Sequence, residues 1–158
     1  MIQKKIDESN EKLAKFLDWF QQEDQLEGTW WKKFDSSNGV IYSIHNNENY
    51  PHKDLPFRRD WNWLMEVLDK IVEVRYGYQL TPGAIMIFDW DKANSMSRFE
   101  AQVIPIHYHT DDRIVMVWNA CVHFVEWYNK QLLEKKIITY KTKQLKKQNK
   151  GINDLVSL

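Results

Sequence analysis

A single cysteine, Cys121, rules out a disulfide within the chain, so stability has to come from a packed core. Five glycines stand singly, and none belongs to a Gly-rich loop able to cradle a phosphate. No serine sits in the context of a hydrolase nucleophile elbow, which removes a common acyl-transfer template. No apolar run approaches the length that crosses a bilayer, and no stretch has the pattern of a secretory signal. The expectation is a soluble, cytoplasmic protein that does not engage a membrane. An excess of charge of either sign is missing too. The 22 basic residues balance 22 acidic ones, so the whole chain exerts no net pull on nucleic acid or lipid.

What is present is unevenly spread. Residues 1–29 hold seven acids and four lysines, whereas residues 130–150 hold eight lysines and a single acid, Glu134. The lysine-rich end is the part able to meet a polyanion. Eight tryptophans, seven tyrosines and seven phenylalanines exceed what a small core takes in, because tryptophan is seldom wholly buried. Some rings therefore reach the surface, where Trp and Tyr commonly anchor interfaces. The length of 158 residues suits one domain. A chain of that size buries about 70% of the surface its unfolded form exposes.

Periodicity supplies the elements. The strongest helical signal covers residues 111–129, where Ile114, Val117, Trp118, Cys121, Val122, Val125 and Tyr128 recur at three- and four-residue steps. Asp111 and Asp112 precede it, suited to cap free N–H groups, and Cys121 on its apolar face is expected to be a small buried hydrophobe. A second helix is predicted from about residue 9 to 25 on Leu13, Phe16, Leu17 and Phe20, closed by Gly28. A third runs from Asp60, its cap, to about Tyr76, with Trp61, Leu64, Val67, Leu68, Ile71 and Val74 on one face and Gly77 as its stop. Residues 29–34 and 40–45 flank a turn-forming cluster and predict a β-hairpin. Residues 84–88 suit an interior strand, and 99–108 predict another that Pro105 pushes to an edge or a bulge. Residues 46–59 carry two prolines and no period, which predicts a long loop. The order α-β-β-α-β-β-α predicts an α+β domain over residues 1–136, a four-stranded, mainly antiparallel sheet with helices packed on it. A basic C-terminal segment occupies 137–158.

Two stretches add a family resemblance. Trp61-Asn62-Trp63-Leu64-Met65-Glu66-Val67, continuing to Lys70-Ile71, resembles the W-x-W-L-M-x-V-x-x-K-I signature of phage ABA sandwich domain proteins, small phage and prophage proteins of Bacteroidetes. Residues 117–129 are similar to the closing helix of the same proteins, and residues 13–19 loosely match their opening helix. The resemblance implies an α/β/α sandwich and a phage origin, and brings no established activity. The basic tail and His107-Tyr108-His109 depart from that pattern. Phage accessory proteins are often directed at bacterial defence systems, so an anti-CRISPR-type inhibitor is the function that association points to.

Candidate sites follow from residue type. Lys135, Lys136, Lys141, Lys143, Lys146, Lys147 and Lys150 are candidate contacts to nucleic acid or an acidic partner, with Tyr140 among them to stack on a base. A solvated or frayed tail fits the same composition. Trp30 and Trp31 are adjacent on a strand and face opposite sides. Trp61 and Trp63 lie about 200° apart on a helix, so one of them is off the buried stripe. Trp30, Trp31 and Trp63 are the candidate partner-binding aromatics. His107 and His109 point to one side of a strand, with Asp111 and Asp112 just beyond, the only arrangement of metal-ligand character. The plainer reading ends a strand at His109 and starts a helix at Asp111. Asp89, Asp91 and Glu100 could form a carboxylate cluster or serve as solvated loop acids. The leading expectation is a non-enzymatic protein, without cofactor, that binds a host protein or ribonucleoprotein, RNA among the contacts. The alternatives are a small metal-dependent enzyme using His107 and His109 and a phage structural component that self-associates through its tryptophans.

Overall fold

The computed structural model describes the backbone of residues 2–21, 30–36, 39–43, 55–108 and 112–156, and the side chains of that set apart from 20–21, 30–43, 56 and 145–156. The chain divides into two compact units, Met1–Val125 and Glu126–Leu158. The first helix, α1 (Ile2–Phe16), stops well before the predicted residue 25. Asp18 takes a φ of 61°, the Trp19 N–H donates to the Ala14 carbonyl at 3.0 Å, and the Asp18 N–H donates to that of Lys15 at 3.1 Å. These are the two bonds of a Schellman C-terminus, and aspartate is one of the few side chains that tolerates its left-handed residue. The stop thus lies at Asp18; Gly28 is outside the described residues.

β1 (Phe20–Gln21), β2 (Trp30–Ser36) and β3 (Gly39–Ser43) form an antiparallel sheet in chain order, with Phe20 opposite Trp31 and Ser36 opposite Gly39. The predicted hairpin is β2 and β3. After a 3-10 turn at Pro56–Arg58, Asp60 caps α2 (Trp61–Glu73) by accepting from the Asn62 N–H at 2.8 Å. Arg75, at a φ of 76°, ends α2 and lets β4 (Tyr76–Leu80) begin at once. β4 pairs with β5 (Ala84–Asp89) across a turn in which the Thr81 hydroxyl accepts from the Ala84 N–H at 3.0 Å. Gly77, expected to stop α2, lies within β4. A Cβ there would stand 2.5 Å from the Phe88 ring, so the position has no room for a side chain. A short α3 (Trp90–Ala93) follows, and β6 (His107–Tyr108) completes a second antiparallel sheet in the order β4, β5, β6.

Mixed helix and antiparallel strand, as the α+β class requires, is therefore present, but the sheet differs from the predicted four strands: the described residues form two three-stranded sheets. β4 was hidden because its Tyr-Gly-Tyr-Gln-Leu follows α2 with no loop between. The strand predicted over 99–108 shrinks to β6, for Pro105 cannot donate to a ladder and residues 99–101 turn back, the Ala101 N–H meeting the Ser97 carbonyl at 3.0 Å. α4 (Arg113–Val156) is capped by Asp112, which accepts from the Ile114 N–H at 3.0 Å, and it continues as helix through the lysine-rich segment.

The core of the first unit forms where α1, α2, the second sheet and the start of α4 turn their apolar faces inward. α2 contributes Trp63, Leu64, Val67, Leu68 and Ile71, α4 contributes Met116, Val117, Ala120, Cys121, Phe124 and Val125, and β5 contributes Ile85, Ile87 and Phe88. Each large side chain fully buried there stabilises by about 1.5–3 kcal/mol. One polar residue joins them. Asn10 donates to the Leu55 carbonyl at 2.7 Å and accepts from the Trp118 indole N–H at 2.8 Å, so one buried amide ties α1 to α4 and to the segment before the 3-10 turn. Cys121 is wholly buried and its thiol is pushed up to about 12 by desolvation, so it is the inert hydrophobe expected.

Candidate functional site

The basic segment is helical, and that converts a composition into a geometry. At 100° per residue, positions 135, 136, 143, 146, 147 and 150 of α4 fall within one arc of about 120°, while 130 and 141 lie on roughly the opposite side. The arc runs along about 22 Å of helix from 135 to 150. Lys135, Lys136, Lys141 and Lys143 are all exposed. Tyr140 stands at the border of the arc with 65% of its surface open, and its hydroxyl accepts from the Gln144 amide at 2.9 Å. Thr139 and Thr142 donate back to the carbonyls of Lys135 and Ile138, both at 2.9 Å, so among the described side chains of that face Lys135, Lys136 and Lys143 are the charged groups left to solvent.

The aromatic candidates separate. Trp63 is buried, with 1% of its surface exposed, and cannot meet a partner; Trp61 takes the outer place at 38%. The helical wheel alone favours the reverse, since Trp61 lies nearer the Leu64, Val67 and Leu68 stripe. Tertiary packing decides: Trp19 and Phe57 stand against Trp63 with ring centroids at 4.8 and 5.1 Å. Trp61, at the first turn, has the Arg113 guanidinium 5.9 Å above its ring. Trp30 and Trp31 pair with Gln21 and Phe20 on β2; their side chains lie outside the described set. Phe57, from the predicted loop, is wholly buried.

The carboxylate cluster does not form. Asp89 caps α3 through the Lys92 N–H, Asp91 pairs with Arg75 at 2.9 Å, and Glu100 accepts from the Ser97 hydroxyl and N–H at 2.7 and 3.0 Å. Those Ser97 bonds hold the Glu100 carboxyl below its ordinary range. Three acids in three separate structural tasks offer no shared proton.

His109 and Asp111, half of the predicted metal arrangement, are outside the described residues. Among the described residues no group of three metal-ligating side chains occurs. His107 instead meets a residue that sequence spacing did not single out: its Nε2 lies 3.3 Å from Nδ1 of His123, on α4. Burial, and secondarily the neighbouring imidazole, lowers the proton affinity of His107. No sequence signal links positions sixteen apart on a strand and a helix.

A cavity of about 680 Å³ opens between α1, the 3-10 turn and the start of α4. Arg58 and Arg59 line it beside Asp7 and Asp112. Arg58 rests 5.8 Å above the Trp118 ring, Asp112 is committed to capping α4, and Asp7 accepts from the Gln3 amide at 2.8 Å. The lining is thus of mixed charge and already partly self-satisfied. Among the described residues no helix is long and apolar enough to cross a membrane. No family model, curated protein or solved structure matches the chain.

Proposed function

We propose that the protein is a non-enzymatic binding protein of phage origin that engages a host ribonucleoprotein, laying the basic face of α4 along an RNA backbone. The observation that carries this reading is the helical register of the lysines: positions scattered in sequence share one arc of a single helix. Tyr140 at the edge of that arc, 65% exposed, could stack on an unpaired base. The resemblance to phage ABA sandwich domain proteins supports the phage origin and, by association, an anti-CRISPR-like inhibitor of a defence complex.

The test is binding of the full chain to a labelled single-stranded RNA across a salt series. With about four lysines on phosphates, log affinity falls against log salt with a slope near −3. Reversing Lys136, Lys143, Lys146 and Lys147, whose positions all fall on the arc, to glutamate removes that dependence. An affinity indifferent to salt and to these four reversals contradicts the proposal. Truncation after residue 138 separates the alternatives, because a histidine-centred enzyme or a self-assembling scaffold survives it and an RNA binder does not.

A further inference from the structure

His107 and His123 come from elements far apart in the chain, and the fold aims them at one another. His107 pairs with Ile85 across β5 and β6, so it shares a sheet face with a side chain that is 1% exposed, while Tyr108 next to it points outward. That face looks toward α4, where His123 sits beside the buried Phe124. The rings stand at 89° with centroids 5.5 Å apart, and the facing nitrogens, Nε2 of His107 and Nδ1 of His123, are 3.3 Å apart. Two imidazole nitrogens bound at about 2.0–2.1 Å in tetrahedral geometry are separated by about 3.3–3.4 Å. The observed spacing suits a ring N–H···N hydrogen bond and also matches that of two ligands on one ion, which a small rotation of the rings would converge.

We propose that His107 and His123 form a two-imidazole site for a late first-row transition ion, Ni²⁺, Cu²⁺ or Zn²⁺, with water filling the other coordination positions. The donors are neutral nitrogens, which select these ions over Mg²⁺ and Ca²⁺, whose preference is oxygen. Without metal, one ring N–H lies between the two rings as a hydrogen bond. On binding, that proton moves to the outer nitrogen of its own ring, leaving both facing nitrogens as donors, and no net proton is released by the neutral pair. The pairing differs from the one spacing predicts, His107 with His109, and experiment tells them apart.

Calorimetric titration of the full chain with Ni²⁺ alone should show binding that His107→Gln and His123→Gln each weaken at least about tenfold, the lower end of the loss seen when even supporting groups of a metal site are removed. His52→Gln should leave it within about twofold, and Mg²⁺ should give no heat; circular dichroism confirms that each variant is folded. Should either variant fail to fold, Cu²⁺ on the wild-type chain decides: its electron paramagnetic resonance should report two nitrogen ligands, and the imidazole proton signals of His107 and His123 should broaden before those of the other histidines. Unchanged affinity in His123→Gln, loss in His109→Gln without loss in His123→Gln, or broadening that spares His123 would each overturn the site.

Discussion

Residues 113–125 and 126–156 belong to one helix yet carry two kinds of sequence. The first stretch buries Met116, Val117, Trp118, Ala120, Cys121, Phe124 and Val125, at the 3.6-residue period of a core face. In the second, Leu133, Ile137, Ile138 and Tyr140 are exposed, as are the lysines from 130 to 143. Helical backbone is common to both; its physical support is not. Early α4 is held by burial against other elements. The later part draws on local terms: good helix formers such as Lys, Gln and Leu, and short-range side-chain bonds such as Gln144 to Tyr140. A segment kept helical by local terms can change its surface residues without harm to a core, which is what a binding face requires.

Substitutions at core positions of the first unit and on the exposed later part of α4 should differ sharply. Trp63→Ala, which opens the Trp19, Phe57 and Trp63 cluster, should destabilise by about 3–5 kcal/mol in denaturant unfolding. Ile138→Ala, on the exposed part of α4, should stay within about 0.5 kcal/mol. Asn10→Ala comes next at about 2–4 kcal/mol, since it strands the Trp118 N–H and the Leu55 carbonyl, each a buried group worth about 1–3 kcal/mol when unpaired. Gly77→Ala should lose about 1–3 kcal/mol by driving a methyl into the Phe88 ring, read as a lowered melting temperature.

The smallest effect is one of pH. His107 binds a proton less readily in the fold than its ordinary pKa of 6.5 would give, so the unfolded chain takes up more protons in acid. Stability contributed here is present above about pH 6.5 and declines as pH falls below it. His123→Gln removes the repelling imidazole, and the decline measured by melting between pH 7.5 and 5 should become shallower. An unaltered profile would show that burial alone sets the shift.

Much of this architecture is written locally. The caps at Asp60 and Asp112, the apolar stripe of α4, the β2 and β3 hairpin and the interior strand at 84–89 follow from short-range pattern, because each depends on residues within a turn or two. What escaped is long-range. Trp63 is inside because Trp19 and Phe57 arrive from elsewhere, Asn10 matters through partners 45 and 108 positions away, and His123 becomes notable only beside β6. Two boundaries also turned on positive-φ residues, Asp18 and Arg75, where the pattern pointed to Gly28 and Gly77. The lysines were legible as a charge run, but their common face became visible only once the segment was known to be helix.

That face is tested most directly by two double reversals of equal charge, Lys136→Glu with Lys143→Glu on the arc and Lys130→Glu with Lys141→Glu opposite it, compared for binding to labelled single-stranded RNA. The arc pair should weaken binding at least about tenfold and make the salt slope shallower by about 1.4, two phosphate contacts' worth, while the opposite pair changes affinity only a few-fold. Equal losses from the two pairs, or none from either, would contradict a basic face on α4.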